Sequence, residues 1–169
     1  FEWKKIERSS SSVTFLDVGQ GDSAIIRTDK GGIIVIDGGP DWSLLEKIAN
    51  YMPFFHRSID LLILSHPNLD HLAAFPEMLR RYDVKKVVIT TTPYKLGAYE
   101  DILQQMRKNH VPILTPSQTT NITLDDVVIE LLWPRASDVG REFKEVNDAS
   151  IVLRIVTKNS SILFTGDME

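Results

Sequence analysis

The sequence contains no cysteine, which excludes a disulfide framework and any zinc site built on thiolates. It contains no apolar run approaching the ~20 residues that cross a bilayer as a helix. No internal repeat is present, and low complexity is confined to Ser9–Ser12, so repeat architectures are excluded. Charge of one sign is also scarce. With 19 basic and 23 acidic residues the net charge is −4, without the basic surplus of a self-sufficient nucleic-acid binder. Nucleic acid as a substrate is still compatible with that balance, because a bound metal supplies local positive charge. What the chain does have is globular material: 43% hydrophobic and 25% charged residues over 169 positions, enough to bury one real core.

Strand-like runs come first, at Val13–Val18, Ser23–Thr28 and Gly32–Asp37. Asp29-Lys30-Gly31 is a hairpin signal, and Ile33-Ile34-Val35-Ile36 has no polar member, so both its faces should be buried. Asp41 is placed to cap a helix running to about Tyr51, with Leu44, Leu45 and Ile48 on one stripe. A buried strand Asp60–Leu64 follows. Leu72, Phe75, Leu79 and Tyr82 then share one helical face, provided that Pro76 lies in a first turn. Val87–Ile89 reads as strand, Tyr99, Ile102, Leu103 and Met106 as a helix ending near Asn109, and Val111–Leu114 as extended. From Asn121 the chain is strand-rich: Asn121–Leu124, Val127–Trp133, Ser150–Val156 and Ser161–Thr165. Strands bunched at both ends around a mixed middle predict two packed sheets with helices outside, an αββα sandwich of the α/β (α+β) class. Residues 1–12 read as a linker and 13–169 as the domain.

The chemistry concentrates in Ser65-His66-Pro67-Asn68-Leu69-Asp70-His71. Pro67 takes the chain out of the sheet, and two imidazoles, a carboxylate and an amide crowd the turn that follows. Such side chains at a strand end are what a first-row divalent ion needs. Such an ion brings the pKa of water to about 7 and so provides a nucleophile at neutral pH. Asp70 is the candidate catalytic residue, either orienting that water or serving as a plain ligand. Gly19-Gln20-Gly21-Asp22-Ser23 lacks the spacing of a phosphate cradle and reads as a tight turn, and no motif places a histidine beside Ser23. His56 and His110 lie outside every motif and read as surface or capping residues. Arg80, Arg81, Lys85 and Lys86 fit a solvated helix end or a phosphate-backbone contact. Trp42, Trp133, Phe54 and Phe55 read as core or lid residues.

Taken together, Val13–Ser23, Ile36-Asp37-Gly38-Gly39, Ser65–His71, Asn147-Asp148-Ala149-Ser150 and Phe164-Thr165-Gly166-Asp167 resemble the metallo-β-lactamase fold. Within it they resemble the hydrolase-like domain of ComEC-type DNA-uptake proteins and their stand-alone relatives. The resemblance implies a metal loop at His66, Asn68, Asp70 and His71, with Asp167 bridging or backing two ions. It further implies a third ligand from Asn147 or Asp148, and an orienting role for Asp37 behind the histidines. His66 and Asn68 would serve one ion, and Asp70, His71 and Asp167 the other. Asn68 stands where the family has histidine or aspartate, and a neutral amide is a poorer zinc ligand, so manganese is an alternative to zinc.

The implied function is a metal-dependent hydrolase carrying one or two divalent ions, with DNA phosphodiester bonds as substrate and no nucleotide cofactor. Two alternatives stay open. One is an accessory domain with a degraded metal site, suggested by Asn68 and by Leu72-Ala73-Ala74 where the family has glycines. The other is a hydrolase of a small ester, thioester or lactone, which the same fold supports. The chain opens at Phe1 and stops just past a strand, so the sequence is expected to be a piece of a longer protein, truncated at the C-terminus. A membrane-anchored parent preceding Phe1 is part of that expectation.

Overall fold

Ile33, Ile34, Val35 and Ile36 form the strand on which the layers are built, and all four are buried. In the computed structural model, residues 10–52, 55–90, 94, 97–116, 119–138, 141 and 143–169 are described. The first sheet has the order β1 (Ser12–Phe15), β2 (Ala24–Arg27), β3 (Ile33–Ile36), β5 (Leu61–Ile63), β7 (Val87–Val88), β8 (Ile113–Leu114). β1, β2 and β3 pair antiparallel, while β3, β5, β7 and β8 run parallel. A short parallel pair, β4 (Ser58–Ile59) and β6 (Asp83–Val84), precedes β5 and β7 in the chain. The second sheet is an antiparallel meander: β9 (Asn121–Leu124), β10 (Val127–Trp133), β11 (Val152–Val156) and β12 (Ser161–Phe164).

Side chains alternate across a strand, so β3 feeds two cores at once. Ile34 and Ile36 join Leu61 and Ile63 against Ile129, Leu153 and Ile155, and this is the seam between the sheets. Ile33 and Val35 face the other way, toward the helices. That layer comprises α1 (Ser43–Ile48), α2 (Leu69–Leu72), α3 (Phe75–Arg81) and α4 (Gly97–Lys108). Leu44, Ile48, Phe75, Met78, Ile102 and Met106 supply its buried stripe. Each such side chain contributes about 1.5–3 kcal/mol on burial.

The two-sheet expectation is met, with one difference. Among the described residues helices cover only the first sheet. The outer face of the second carries the Arg154–Glu130 pair at 2.5 Å and the exposed Leu132 and Leu163. The single helix expected around Pro76 is two helices, because a proline ring is tolerated only in a first turn. The chain breaks at Ala73–Ala74 and restarts so that Pro76 falls there. Asp41 accepts the Ser43 backbone N–H at 2.8 Å, the bond expected of a capping residue, although α1 itself begins only at Ser43, with Trp42 in the cap position. Ser12, expected in the linker, already belongs to β1, and the Ser11 hydroxyl bonds Asp126. Trp42 and Phe55 are 62% and 87% exposed and so are not core residues, while Phe54 and residues 1–9 lie outside the described set. No described helix is long and apolar enough to cross a membrane.

Candidate functional site

Parallel pairing of Ile34 with Leu61 and Ile36 with Ile63 makes β3 and β5 leave the sheet side by side. Ligand sites in open α/β sheets form at such carboxyl ends. Asp37 follows β3 with a left-handed backbone (φ 55°), a state that aspartate tolerates better than most residues. Its carboxylate turns toward the end of β5. There Oδ1 accepts the Ser65 backbone N–H at 2.7 Å, and Oδ2 accepts the Ser65 hydroxyl at 2.7 Å. His71, carried on α2, places Nδ1 3.1 Å from the same Oδ2. His66 places its Nδ1 3.0 Å from the Ser65 hydroxyl.

Proton accounting then assigns both rings. A carboxylate has no proton to give, so His71 donates from Nδ1 to Asp37. The Ser65 hydroxyl has already given its one proton to Asp37, so it accepts from His66 Nδ1. In their neutral forms, both histidines therefore present an Nε2 lone pair away from Asp37. Those two atoms meet Asp167, with His71 Nε2 3.3 Å from Oδ1 and His66 Nε2 3.9 Å from Oδ2. Asp167 comes from the other sheet, just after β12. A Cβ on Gly166 (φ 52°) would lie 3.0 Å from Ser150 Cβ and 3.1 Å from Ser65 Cβ, so a side chain there would hold Asp167 off the histidines.

Buried His66 Nε2 has no hydrogen-bond partner, which is costly for a polar atom unless something else satisfies it. Burial, and then the charge of neighbouring His71, push the His66 pKa down. At His71 burial also pulls downward, but the hydrogen bond and charge of Asp37, with Asp167 and Asp70, outweigh it and raise the pKa to about 9. Without a cation, a second proton on His71 thus sits between two carboxylates. Two imidazole nitrogens and a carboxylate, anchored from behind by Asp37, fit a divalent ion. Among the described residues, His66, His71 and Asp167 form the one group of His and acidic side chains close enough to share an ion.

The other expected site residues lie around this group. Asn68 stands just ahead of α2 and donates from its amide to Asn147 Oδ1 at 3.0 Å. Asn147 and Asp148 lie in one 3-10 turn, held by the Trp133 indole N–H donating to the Asp148 carbonyl at 3.1 Å. Asp70 occupies the first turn of α2 and acts electrostatically on both histidines. Asp70 and Asp148 both lie outside the three-residue group. Ser65 is the residue whose role sequence reasoning missed, because its link to Asp37 depends on the pairing of β3 with β5. Ser23 is structural, its buried hydroxyl donating to the Asp37 carbonyl at 3.0 Å.

The basic residues sit elsewhere. Parallel pairing of Leu62 with Val87 puts Lys85 and Lys86 at the leading end of the strands, away from His66. Arg80 and Arg81 pair with Glu77 there, at 3.3 and 2.6 Å, and Lys85 pairs with Asp83. His110 lies just past α4, and His56 is half-buried ahead of β4.

Comparison with known proteins sets this geometry in context. The profile of the Metallo-beta-lactamase superfamily matches residues 16–169. ComE operon protein 3 of Bacillus subtilis (strain 168) is 28% identical over 180 residues, covering 95% of this chain and 22% of that protein. The chain thus spans about a fifth of that relative's length. Endoribonuclease YSH1 of Yarrowia lipolytica is 35% identical over 85 residues, covering 49% of this chain and 10% of that protein. Among solved structures, the metallo-beta-lactamase fold protein YhfI from Bacillus subtilis superposes with a TM-score of 0.58 at 17% identity, over 86% of this chain and 54% of its own. A metallo-beta-lactamase from Cronobacter sakazakii gives 0.59 at 13% identity, over 92% and 63%. At those identities the superpositions speak to fold alone, but the profile runs from Leu16 to Glu169 and takes in every site residue described above, so the chain belongs to the metallo-beta-lactamase superfamily.

Proposed function

We propose that this chain is the hydrolytic unit of a metal-dependent phosphodiesterase that cuts DNA. The observation that carries the reading is the convergence of His66 Nε2, His71 Nε2 and Asp167, with both Nδ1 atoms anchored through Asp37. In this reading His66, His71 and Asp167 hold the ion, zinc or manganese, and it supplies Lewis acidity at neutral pH. Asp37 and Ser65 fix the tautomers of the two rings, so that each ligand nitrogen is ready without reorganisation. Asp70, beside the group, draws a proton from the attacking water or adds a ligand. Asn68, Asn147 and Asp148 border a second, weaker position, where neutral amides suit manganese better than zinc.

The substrate class is supported by the relatives: one is named an endoribonuclease, and the ComE protein matches along nearly the whole chain. The resemblance to ComEC-type DNA-uptake proteins directs the choice to DNA. It also implies a longer, membrane-anchored parent, which the 22% span of ComE operon protein 3 leaves room for.

Single-stranded and duplex DNA, RNA and a lactone ester, each incubated with the protein and manganese or zinc, test the reading. DNA cleavage that is removed by chelator and by His71→Ala, with Asp70→Ala slower by at least about 100-fold, is the expected result. Hydrolysis of the ester alone would transfer the assignment to acyl chemistry. Ion binding without any hydrolysis would favour an accessory domain, a reading to which the amide at position 68 lends weight.

A further inference from the structure

The glycine loop between β1 and β2 has no part in the chemistry above, yet it reaches the site. Its base is closed by the Leu16 N–H donating to the Ser23 carbonyl at 2.9 Å. Its far side is tied to the Asp37 turn by the Gly39 N–H donating to the Asp22 carbonyl at 3.1 Å. Between these anchors Gly21 lies against Asp70. A Cβ at Gly21 would fall 2.0 Å from the Asp70 carbonyl oxygen and 2.9 Å from Asp70 Cβ, distances no real contact permits. The other end of α2 is held by the Gly38 N–H donating to the His71 carbonyl at 2.6 Å and the Ala73 N–H donating to the Gly39 carbonyl at 3.2 Å. The helix that carries Asp70 and His71 is thus held at both ends by backbone from the loops that follow β1 and β3.

We propose that Gly21 is a positioning residue for Asp70. By lacking a side chain it lets the loop seat against the Asp70 backbone and fix where that carboxylate and the adjoining His71 stand. The inference rests on the reading of His66, His71 and Asp167 as metal ligands. It also explains the glycine pair in Gly19-Gln20-Gly21. Both glycines have φ 81°, a backbone state that disfavours any other residue, but a Cβ at Gly19 would meet nothing within 4 Å. Gly19 serves the turn alone, and Gly21 serves the turn and the site.

That difference supplies the control. Alanine at either position imposes the same backbone strain, and only Gly21→Ala intrudes on Asp70. Calorimetric titration with Mn²⁺ and with Zn²⁺, alongside thermal melts, is made on the unmodified chain and both variants. Gly21→Ala is expected to weaken ion binding by about 10-fold or more, the scale seen when support behind a ligand is lost. Gly19→Ala is expected to lower Tm while leaving the dissociation constant unchanged. Equal dissociation constants in the two folded variants would overturn the inference, whereas an unmodified chain that binds no ion would overturn the metal reading beneath it. Should Gly21→Ala not fold, hydrogen exchange on the unmodified chain decides. Mn²⁺ is expected to slow exchange in residues 17–23 together with 66–72, and a response confined to 66–72 would sink the proposal.

Discussion

Asp37 holds a left-handed backbone that costs an L-residue about 1–2 kcal/mol, and in that conformation one carboxylate accepts from Ser65 twice and from His71 once. Asn keeps the shape and tolerates the same φ, so Asp37→Asn isolates the charge and the lost acceptor. It is expected to weaken divalent-ion binding about 10–100-fold, read by competition with a chelating dye. The same residue governs pH behaviour. Against burial, Asp37 with Asp167 and Asp70 holds the His71 pKa at about 9, above its ordinary 6.5. A raised histidine pKa adds stability in full below the unfolded value, and that stability fades as pH rises through the folded one. Ion-free protein therefore loses this contribution between pH 6.5 and about 9. Over the same interval ion affinity is expected to rise, because an ion held by His71 would have to displace its proton. His66, with its pKa lowered, works in the opposite sense: its neutral burial costs stability as pH falls below 6.5 through the folded value. Melts of ion-free protein from pH 5 to 10 should thus decline on both flanks, and Asp37→Asn should flatten the alkaline flank.

At the scale of single elements, His110 is the informative residue. It sits at φ 52° just past α4, where the Val111 N–H donates to the Met106 carbonyl at 2.9 Å and its own N–H donates to the Arg107 carbonyl at 3.2 Å. This is a Schellman ending, whose left-handed position glycine fills most easily. His110→Gly is expected to stabilise the chain by about 1 kcal/mol, a rise of about 2–4 °C in a melt. Sequence pattern identified every main strand, and β9 and β10 to the residue, because the polar turn residues Asp125 and Asp126 separate them and Pro134 follows β10. It missed the break between α2 and α3, because Leu72, Phe75, Leu79 and Tyr82 keep helical spacing across it. It also missed the pairing of β4 with β6, since two-residue strands carry no periodic signal. Of the site, His66, His71, Asp70 and Asp167 were legible as chemistry-bearing types in motif positions. The contact of Ser65 with Asp37 was not, because it is made by register between strands distant in sequence.

Across the whole molecule the two ends of the parallel strands have different characters. The site lies where β3 and β5 end. Arg80, Arg81 and Lys85 lie at the opposite end, each already paired with Glu77 or Asp83. Substitution of Arg80 and Arg81 together by alanine should therefore leave the proposed DNA cleavage and its salt dependence unchanged. A steeper loss with salt in the parent than in the variant would instead show that this patch touches the phosphate backbone. The site also joins the two sheets. The Ile151 N–H donates to the Ser65 carbonyl at 2.8 Å, and Gly166 packs on both Ser150 and Ser65, so Asp167 reaches the histidines only once the second sheet has docked on the first. His66 and Asp167 are about a hundred residues apart along the chain, and contacts that distant form late, after most of the ordering entropy has been lost. On the proposed reading the centre is therefore expected to be a latecomer in folding, so that metal uptake would mark the completion of the sandwich rather than its seed.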